Sequence, residues 1–542
     1  MKPFCAPVDD ILFSLVHVAG AGELPNWDAE LAGEIASHFA AFVEAEIAPL
    51  DETGDRQGCR LEDGRVFMPD GFKEAYRAYA EQGWPSLSAP ERHAGQELGG
   101  QGLGDIMQAI LVEILAGANH SFQMVTGLVP GAVRTLLRFG TEAQQMRHLP
   151  GLVSGATLAT MCLTEPGAGS DLSRISCRAR RRGEGWYLEG EKIFISGGDQ
   201  DMSDNILHLV LARSGDSGIK GLSLFLCPSV RGDGARNAVF VERIEEKMGL
   251  HASPTCQMVF AGAEAELIGE EGKGLLAMFT MMNHARADVA LQGVAHAARA
   301  YDIASCYANE RAQGRLADGG DARLADHADI RRMLEEIDRL AIGGRAMAHL
   351  ALVTLEKRDD PDLVEMLTPL AKSYCTDAGI KAASLGIQIL GGYGYLRDYR
   401  LEQTYRDARI TSIYEGTNGI HARALATRLV SGRPADALDA YMAEFQGNEL
   451  VAHCLTIWRE ARQQLLDLEE RSVFAHDFML LTQATLLTCL WARIEDVSVR
   501  HRDKARIMRS VERSKLMLPA DVERHAKIIA ALAARQPSMA DA

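Results

Sequence analysis

One carboxylate stands out in the segment YEGTNG at residues 414–419. Glu415 lies between an aromatic residue and a glycine, just after the basic stretch TYRDARITSI, and no second acid, histidine or nucleophile stands beside it. A carboxylate of this kind can act as a general base when it is held against a weakly acidic proton in a dry pocket. The segment therefore raises the question of what chemistry a single carboxylate at this position would serve.

A second segment, MCLTEPGAGSDLS at residues 161–173, has the composition of a ligand-binding loop. Its threonine, serines and glycines offer hydroxyls and backbone N–H groups to a planar, hydrogen-bonding ligand. An ordinary turn is the alternative for this loop taken alone. The glycines form no G-x-G-x-x-G, and GEEGKGL near Gly269 is not a phosphate loop. The pattern therefore argues against a Rossmann or P-loop protein.

Five motifs follow one another along the chain: TEPGAGSD, KIFISGG, EKMGLHASPT, QILGGYGY and YEGTN. In this order and spacing they resemble the acyl-CoA dehydrogenase flavoprotein family, over about residues 30–430. The opening APVDDILFSL, the HASPTC and MMNHAR segments and extra C-terminal helices look most like the family's longer bacterial branch. That branch carries an extra C-terminal helical domain and includes the 3-methylthiopropanoyl-CoA dehydrogenases.

The resemblance implies a reaction in which Glu415 removes the α-proton of an acyl-CoA thioester. The β-hydrogen would leave as hydride to N5 of FAD, which gives the trans-2-enoyl-CoA. The backbone N–H of Glu415 and a flavin ribityl hydroxyl would polarise the thioester oxygen, as in an oxyanion hole. An electron-transfer flavoprotein is the implied electron acceptor.

The resemblance also implies which residues bind the cofactor. Thr164 and Ser196 should contact the edge of the isoalloxazine ring, Leu163 should line it, and Phe194, where many relatives have tryptophan, should stack near it. The remaining implied cofactor contacts are Arg311, Gln388 and Gly392, which would reach the pyrophosphate and adenosine half from a neighbouring subunit, and Thr417 and Asn418 at a helix start. Such sharing implies a homodimer or homotetramer.

The expected substrate contacts are Ser170 on the pantetheine side, Tyr414 beside the base, and Arg286 with Asn283 on one helix. Some relatives place their base on this helix, but here the adjacent position is Ala285 and no glutamate stands at that site, which leaves Glu415 as the base. Asp288 on the same helix could line the acyl pocket, although we favour a helix-surface acid.

Three histidines invite a metal or acid-base interpretation: His251, His284 and His421. Their positions give no metal-ligand spacing, so we predict no metal site and expect packing or CoA-edge roles for them.

The elements that must position these residues follow from the hydrophobic periodicity. Apolar residues recur at three and four from Trp27 to about Leu158 and again after Gly274. Between about Ala159 and Gly269 the chain instead has short β-like runs bounded by turns, such as NILHLVLAR and GLSLFLCPS. We therefore predict a mainly α fold with a β insert, in four parts. They are an N-terminal helical domain with a short leader at 1–158, a middle β-domain at 159–270, a four-helix bundle at 271–432, and an extra helical domain at 433–542 that follows a linker, SGRPADAL.

Composition limits the partners and the compartment. Lys+Arg 57 against Asp+Glu 74 give a net charge of −17, so the whole-chain field repels nucleic acid and anionic membranes. The ten cysteines form no C-x-x-C pair and lie mostly in apolar runs, which indicates reduced, buried thiols. The N-terminus lacks the layout of a secretory signal or transit peptide, and no apolar run reaches membrane-spanning length. We expect a cytoplasmic bacterial protein.

Two other functions fit the same motifs. An acyl-CoA oxidase would use the same scaffold with oxygen as the electron acceptor. A DNA-associated, alkylation-response flavoprotein would need a basic C-terminal surface, for which the candidate is a helical face of arginines: Arg502, Arg506, Arg509 and Arg513. The near-balanced charge of residues 433–542 argues against that surface, so we expect no nucleic-acid partner.

Overall fold

The fold is known from a computed structural model, which describes residues 3–94, 96–215 and 218–535, without the side chains of Gln96 and Asn283. The chain forms two compact units, one of Ala41–Ala285 and one that joins Met1–Ala40 to Arg286–Ala542. The predicted mainly α architecture with a β insert is confirmed. The division into four domains stays a prediction.

The N-terminal part is helical, as its apolar spacing predicts. Its helices are α1 (Val8–Phe13), α2 (Ala29–Phe42), α3 (Leu50–Gln57), α4 (Phe72–Glu81), α5 (Gly104–Thr126), α6 (Val129–Phe139) and α7 (Glu142–Ser154). Two short hairpins lie among them, β1 (Arg60–Glu62) with β2 (Arg65–Phe67) and β3 (Arg92–His93) with β4 (Gln96–Glu97). Helix α7 begins with a capping box, in which Thr141 and Gln144 bond each other's backbone N–H groups.

The middle of the chain forms a seven-stranded sheet. Its strands are β5 (Thr157–Cys162), β6 (Arg178–Arg182), β7 (Gly185–Ser196), β8 (Asn205–Arg213), β9 (Leu222–Pro228), β10 (Val239–Ile244) and β11 (Thr255–Ile268). Strands β11, β7, β6, β8 and β9 pair in succession, and β9 returns to β11, so the sheet closes on itself. The interior holds alternate residues such as Leu188, Phe225 and Phe260. This closure fixes the end of β7, where the KIFIS motif lies.

The second helical part begins with α8 (Gly274–Glu310), the hairpin β12 (Ala312–Arg315) and β13 (Asp321–Arg323), α9 (Ala328–Lys357) and α10 (Pro361–Leu390). It continues through α11 (Leu401–Arg409) and α12 (Asn418–Thr427). The sharp turn into α10 follows from its sequence: the Asp360 carboxylate accepts from Leu363 N at 2.8 Å, and Pro361 occupies the first turn. Helix α10 thereby runs beside the segment that carries Glu415.

Four further helices follow: α13 (Arg433–Ala443), α14 (Glu449–Leu466), α15 (Ala475–Val497) and α16 (Lys504–Ala533). The predicted linker SGRPADAL is wrong, because helix α13 begins at Arg433 with Pro434 in its first turn. These helices share a unit with α9 to α12 and with the part of α8 from Arg286 onward, and they have a core around Trp458, whose indole N–H donates to Thr482 Oγ1 at 3.0 Å.

Of the four arginines on the predicted face, Arg506 is half-buried, whereas Arg502, just before α16, and Arg509 are exposed. Arg506 bonds Asp10 of α1 at 2.6 Å and Asp338 of α9 at 2.9 Å, and Arg502 pairs with Asp9. The central arginine of the face is therefore held by two carboxylates, and the lack of a nucleic-acid partner stays a prediction.

Two expectations drawn from composition have clear outcomes. All ten cysteines are described and free of disulfides; most are buried, as predicted, but Cys5 is exposed. We expected no apolar segment of membrane-spanning length, but one segment is long and apolar enough by length and composition. An 18-residue window within residues 471–500 has a mean hydropathy of 1.4, and 72% of this window is buried inside the protein.

Candidate active site

The segment around Glu415 is a tight turn that leads into α12. The Thr417 side chain caps this helix by accepting from Ile420 N at 3.3 Å. Before it, Glu415 has φ = +53° and Gly416 has φ = +91°. A left-handed conformation is uncommon for a residue with a side chain, and such strain persists only where surrounding contacts enforce it.

Side chains from three helices hold this turn by its carbonyl groups. Arg286 Nε of α8 donates to Glu415 O at 3.3 Å, and His421 Nε2 of α12 lies 3.2 Å from the same oxygen. Lys372 Nζ of α10 donates to Gly416 O at 2.8 Å. Three helices therefore fix the backbone of the base, and this sets the position from which its side chain extends.

The electrostatic surroundings suit Glu415 to the role of a base. Burial raises the pKa of Glu415 to about 7, the charges of Arg286 and Lys372 work in the opposite direction, and Asp288 raises it further. A carboxylate with a pKa near 7 is a stronger base than an ordinary glutamate, and about half of it is ionised at pH 7. The arrangement can accept a proton from a weak carbon acid.

Neighbouring residues keep the other polar groups near the base occupied. The Tyr414 hydroxyl donates to Gln292 Oε1 at 2.5 Å, and burial raises the pKa of Tyr414 well above its ordinary value. Burial also lowers the pKa of His421 to about 4, so this histidine is neutral at physiological pH. Neither group therefore competes with Glu415 for a proton near pH 7.

The TEPGAGSD loop is fixed to strand β7 by a buried ion pair. Lys192 Nζ donates to Glu165 Oε1 at 2.8 Å and to the Leu163 carbonyl at 3.0 Å. The other oxygen of Glu165 accepts from the Ser176 hydroxyl at 2.7 Å. Burial opposes ionisation of Glu165, yet the Lys192 charge and the hydrogen bonds from Ser176 hold its pKa below the ordinary value.

This pair brings together the four residues expected at the flavin ring. Ile193 N donates to the Thr164 carbonyl at 2.9 Å, so Leu163 and Thr164 lie beside the end of β7 that carries Phe194 and Ser196. Phe194 is 60% exposed and has φ = +59°, an unusual conformation that turns a large apolar ring outward. An exposed aromatic face beside hydroxyl groups fits a planar ring with a hydrogen-bonding edge, so these residues suit a flavin.

A third group joins the end of α8 to the turn after α10. The guanidinium of Arg311 lies over the Tyr393 ring at 5.5 Å, within the GGYGY turn that contains Gly392. Gln388, in the last turn of α10, is exposed. Three predicted cofactor residues thus lie close together in the second helical part.

Asn418 differs from its expected role. Its side-chain amide bonds Lys372 Nζ at 3.0 Å and Asp377 Oδ1 at 2.9 Å, so it is engaged within the protein instead of facing a ligand. Asp288, which we interpreted as a helix-surface acid, is half-buried and acts on the pKa of Glu415. Ser170 is exposed, and the Asn283 side chain lies outside the described residues.

The histidines have partners consistent with packing. His251 Nδ1 lies 2.8 Å from Asp55 Oδ1, and His284 Nε2 lies 3.4 Å from Asp105 Oδ2. Among the described residues, no group of three or more histidine, cysteine or acidic side chains could hold a metal ion.

Sequence reasoning missed Lys372 and the Lys192–Glu165 pair as parts of these sites. Both lysines lie in apolar stretches, LTPLAKSYC and EKIFIS, and both are completely buried. A lysine within an apolar run is a signal in itself, because a buried ammonium group needs specific acceptors.

Comparison with known proteins covers most of the chain. Three family models match in succession: the acyl-CoA dehydrogenase N-terminal domain over residues 30–156, its middle domain over 160–263 and its C-terminal domain over 272–430.

Two relatives are similar over most of their length. The chain is 41% identical over 474 residues to a 3-methylmercaptopropionyl-CoA dehydrogenase of Ruegeria pomeroyi, which covers 82% of this chain and 79% of the relative. It is 32% identical to a broad-specificity linear acyl-CoA dehydrogenase of Mycobacterium tuberculosis, over 78% of this chain and 74% of the relative.

A solved structure shows the same fold. An acyl-CoA dehydrogenase complexed with FAD from Bacillus anthracis superimposes with a TM-score of 0.76, over 95% of this chain and 90% of that one, at 21% identity. The match extends beyond residue 430, so the shared fold includes C-terminal helices.

Proposed function

The chain belongs to the acyl-CoA dehydrogenase family, and we propose that Glu415 is the base with which it takes the α-proton of its acyl-CoA substrate. As a member of this family it is an FAD-dependent oxidoreductase. When bound, FAD accepts the β-hydrogen of the substrate as hydride. The chemistry that the chain itself must supply is proton removal, orientation of the thioester and exclusion of water.

The observation that carries the proposal is the held carboxylate of Glu415. Its backbone is strained and fixed by Arg286, Lys372 and His421, and burial raises its pKa to about 7. A thioester α-proton is weakly acidic, so a base of raised pKa at a fixed position lowers the barrier to its removal. The backbone N–H of Glu415 is the proposed donor to the thioester oxygen.

The remaining residues have proposed roles that follow from their positions. Leu163, Thr164, Phe194 and Ser196 support the flavin ring, and Ser170 lies on the pantetheine side. Arg311, Gln388 and Gly392 are proposed to bind the pyrophosphate and adenosine half of FAD, within a homodimer or homotetramer. Thr417 contributes through the helix start that it caps, whereas we assign Asn418 to holding the turn.

The acyl group is proposed from the relatives. Because the Ruegeria relative is a 3-methylmercaptopropionyl-CoA dehydrogenase, that thioester comes first among candidate substrates, followed by linear acyl-CoAs. We propose an electron-transfer flavoprotein as acceptor and a cytoplasmic location. An acyl-CoA oxidase would instead produce hydrogen peroxide in air at the rate of substrate oxidation.

The test is anaerobic titration of the purified, FAD-loaded protein with these acyl-CoAs, followed by bleaching of the flavin's visible band. We expect one class of thioester to bleach the wild-type flavin and Glu415→Gln to slow bleaching by about 10²- to 10⁴-fold. Glu365→Gln, which removes an exposed carboxylate paired with Arg428, is the matched control and should behave like wild type. Bleaching by Glu415→Gln at the wild-type rate would rule out this base.

A further inference from the structure

Lys372 lies completely buried in α10, in the apolar run LTPLAKSYC. Its ammonium group donates to two neutral acceptors, Gly416 O at 2.8 Å and Asn418 Oδ1 at 3.0 Å. Taking an ammonium ion out of water costs several kcal/mol, and neutral acceptors recover only part of that cost. Such a residue is costly to keep for packing alone, which directs attention to what it holds.

What it holds is the turn that carries Glu415. The same face of α10 binds Asn418 further, since the Asn418 amide donates to Thr376 Oγ1 at 3.1 Å and to Asp377 Oδ1 at 2.9 Å. Residues four positions apart on a helix lie on one face, so Lys372 and Thr376 both reach Asn418, and Asp377, next to Thr376, bonds the same side chain; the three residues act together as a clamp. The clamp fixes the residues on the C-terminal side of the base, while Arg286 and His421 fix the base itself.

The charged and titratable groups around Glu415 come from three helices. Arg286 and Asp288 lie on α8, Lys372 and Asp377 on α10, and His421 on α12. Asp288 opposes ionisation of Glu415, whereas the charges of Arg286 and Lys372 favour it. Burial lowers the pKa of Lys372 to about 8, and the Asp377 and Glu415 carboxylates act against that effect. Lys372 is therefore still charged at the pH where Glu415 becomes ionised.

We propose that Lys372 is a positioning residue for the reaction: it holds the Glu415 turn through the Gly416 carbonyl and Asn418, and its charge favours the ionised form of the half-buried carboxylate. This inference rests on the proposed role of Glu415. Lys372 lies outside the five sequence motifs, so the motifs alone do not indicate this role.

The experiment measures the rate of anaerobic flavin reduction by an excess of acyl-CoA as a function of pH. The variants are Lys372→Met and Lys372→Gln, which lose the charge, and Lys372→Arg, which keeps it. Lys381→Met, on the same helix, is the matched control, since it removes a 55% exposed lysine paired with Glu336.

In the neutral variants we expect the acid limb of the profile to move to higher pH by on the order of one unit, so reduction below pH 7 slows about tenfold. Lys372→Arg should keep the wild-type acid limb with a lower plateau, and Lys381→Met should match wild type. The proposal would be overturned if Lys372→Met and Lys372→Gln bind FAD and show the same acid limb and the same plateau rate as wild type. If wild type itself reduces no flavin, the proposed function fails first.

A second measurement does not depend on turnover. In a double-mutant cycle on the melting temperature of the FAD-loaded protein, Glu415→Gln should restore part of the stability that Lys372→Met loses, because it removes a carboxylate charge that has lost one of its two nearby cations. Strict additivity would contradict the coupling. If neither neutral variant folds alone, folding of Lys372→Met/Glu415→Gln supports the proposal, and its failure to fold makes Lys372 purely structural.

Discussion

Replacing Gly416 by alanine should displace the base beside it and nearly abolish flavin reduction. At φ = +91° an alanine is strained by roughly 1–2 kcal/mol, and its Cβ would lie 2.9 Å from His421 Nε2. Relieving that contact moves His421 away from the Glu415 carbonyl that it holds. We expect the free energy of unfolding to fall by about 2–4 kcal/mol. Because a shift of about 1 Å near the reacting atoms can cost about 100-fold in rate, flavin reduction should slow by about that factor.

Gly419 in the same motif provides the matched control. It lies in α12, has no left-handed φ, and an added Cβ would meet only Thr417 Oγ1 at 3.9 Å. Gly419→Ala should therefore leave the rate unchanged and raise stability by up to about 1 kcal/mol. The assays are stopped-flow flavin reduction and denaturant unfolding. Equal effects of the two substitutions, or a wild-type rate in Gly416→Ala, would refute the assigned role of the turn.

Two further predictions concern stability. Lys192→Met leaves the Glu165 charge buried without its cation, so the free energy of unfolding measured with denaturant should fall by about 3–5 kcal/mol. The control is Lys273→Met, which removes an exposed lysine and should cost under about 0.5 kcal/mol. Equal losses in the two variants would contradict this account. Asp105 pairs with Arg134: burial opposes ionisation, but its partners lower the Asp105 pKa to about 2. The resulting stabilisation, about 2 kcal/mol, is present above pH ~4 and is lost as the pH falls toward 2. The difference in unfolding free energy between wild type and Asp105→Asn should therefore shrink over that range. A difference that does not change with pH would contradict this prediction.

The sequence was sufficient to predict the fold class and several strands. Runs such as NILHLVLAR and GLSLFLCPS are bounded by turns and have no helical period, and both form strands. The strand Arg178–Arg182 was not predicted, because its sequence RARRR has only one apolar residue and therefore no alternation of apolar side chains. The Gly432–Pro434 segment was misread, since a proline marks a linker or the first turn of a helix equally well.

The site could be predicted only as far as its local motifs reach. Glu415 lies in a contiguous segment whose composition indicates a turn and a helix cap, so its role could be proposed directly. Lys372 lies 44 residues from the Gly416 carbonyl that it binds, a separation that only tertiary packing closes. The same holds for Asp288, because the burial of one helix face depends on which neighbouring helix covers it.

Whether Glu415 itself removes the α-proton can be measured by hydrogen exchange in D₂O. In a 3-thia-acyl-CoA, sulfur replaces the β-methylene, so no β-hydrogen can leave and deuterium entering the α-position reports proton removal alone. With the FAD-loaded protein we predict exchange catalysed by wild type and by Glu365→Gln, and exchange at least about 100-fold slower in Glu415→Gln, followed by NMR of the thioester. Exchange at the wild-type rate in Glu415→Gln would contradict the assignment of the base.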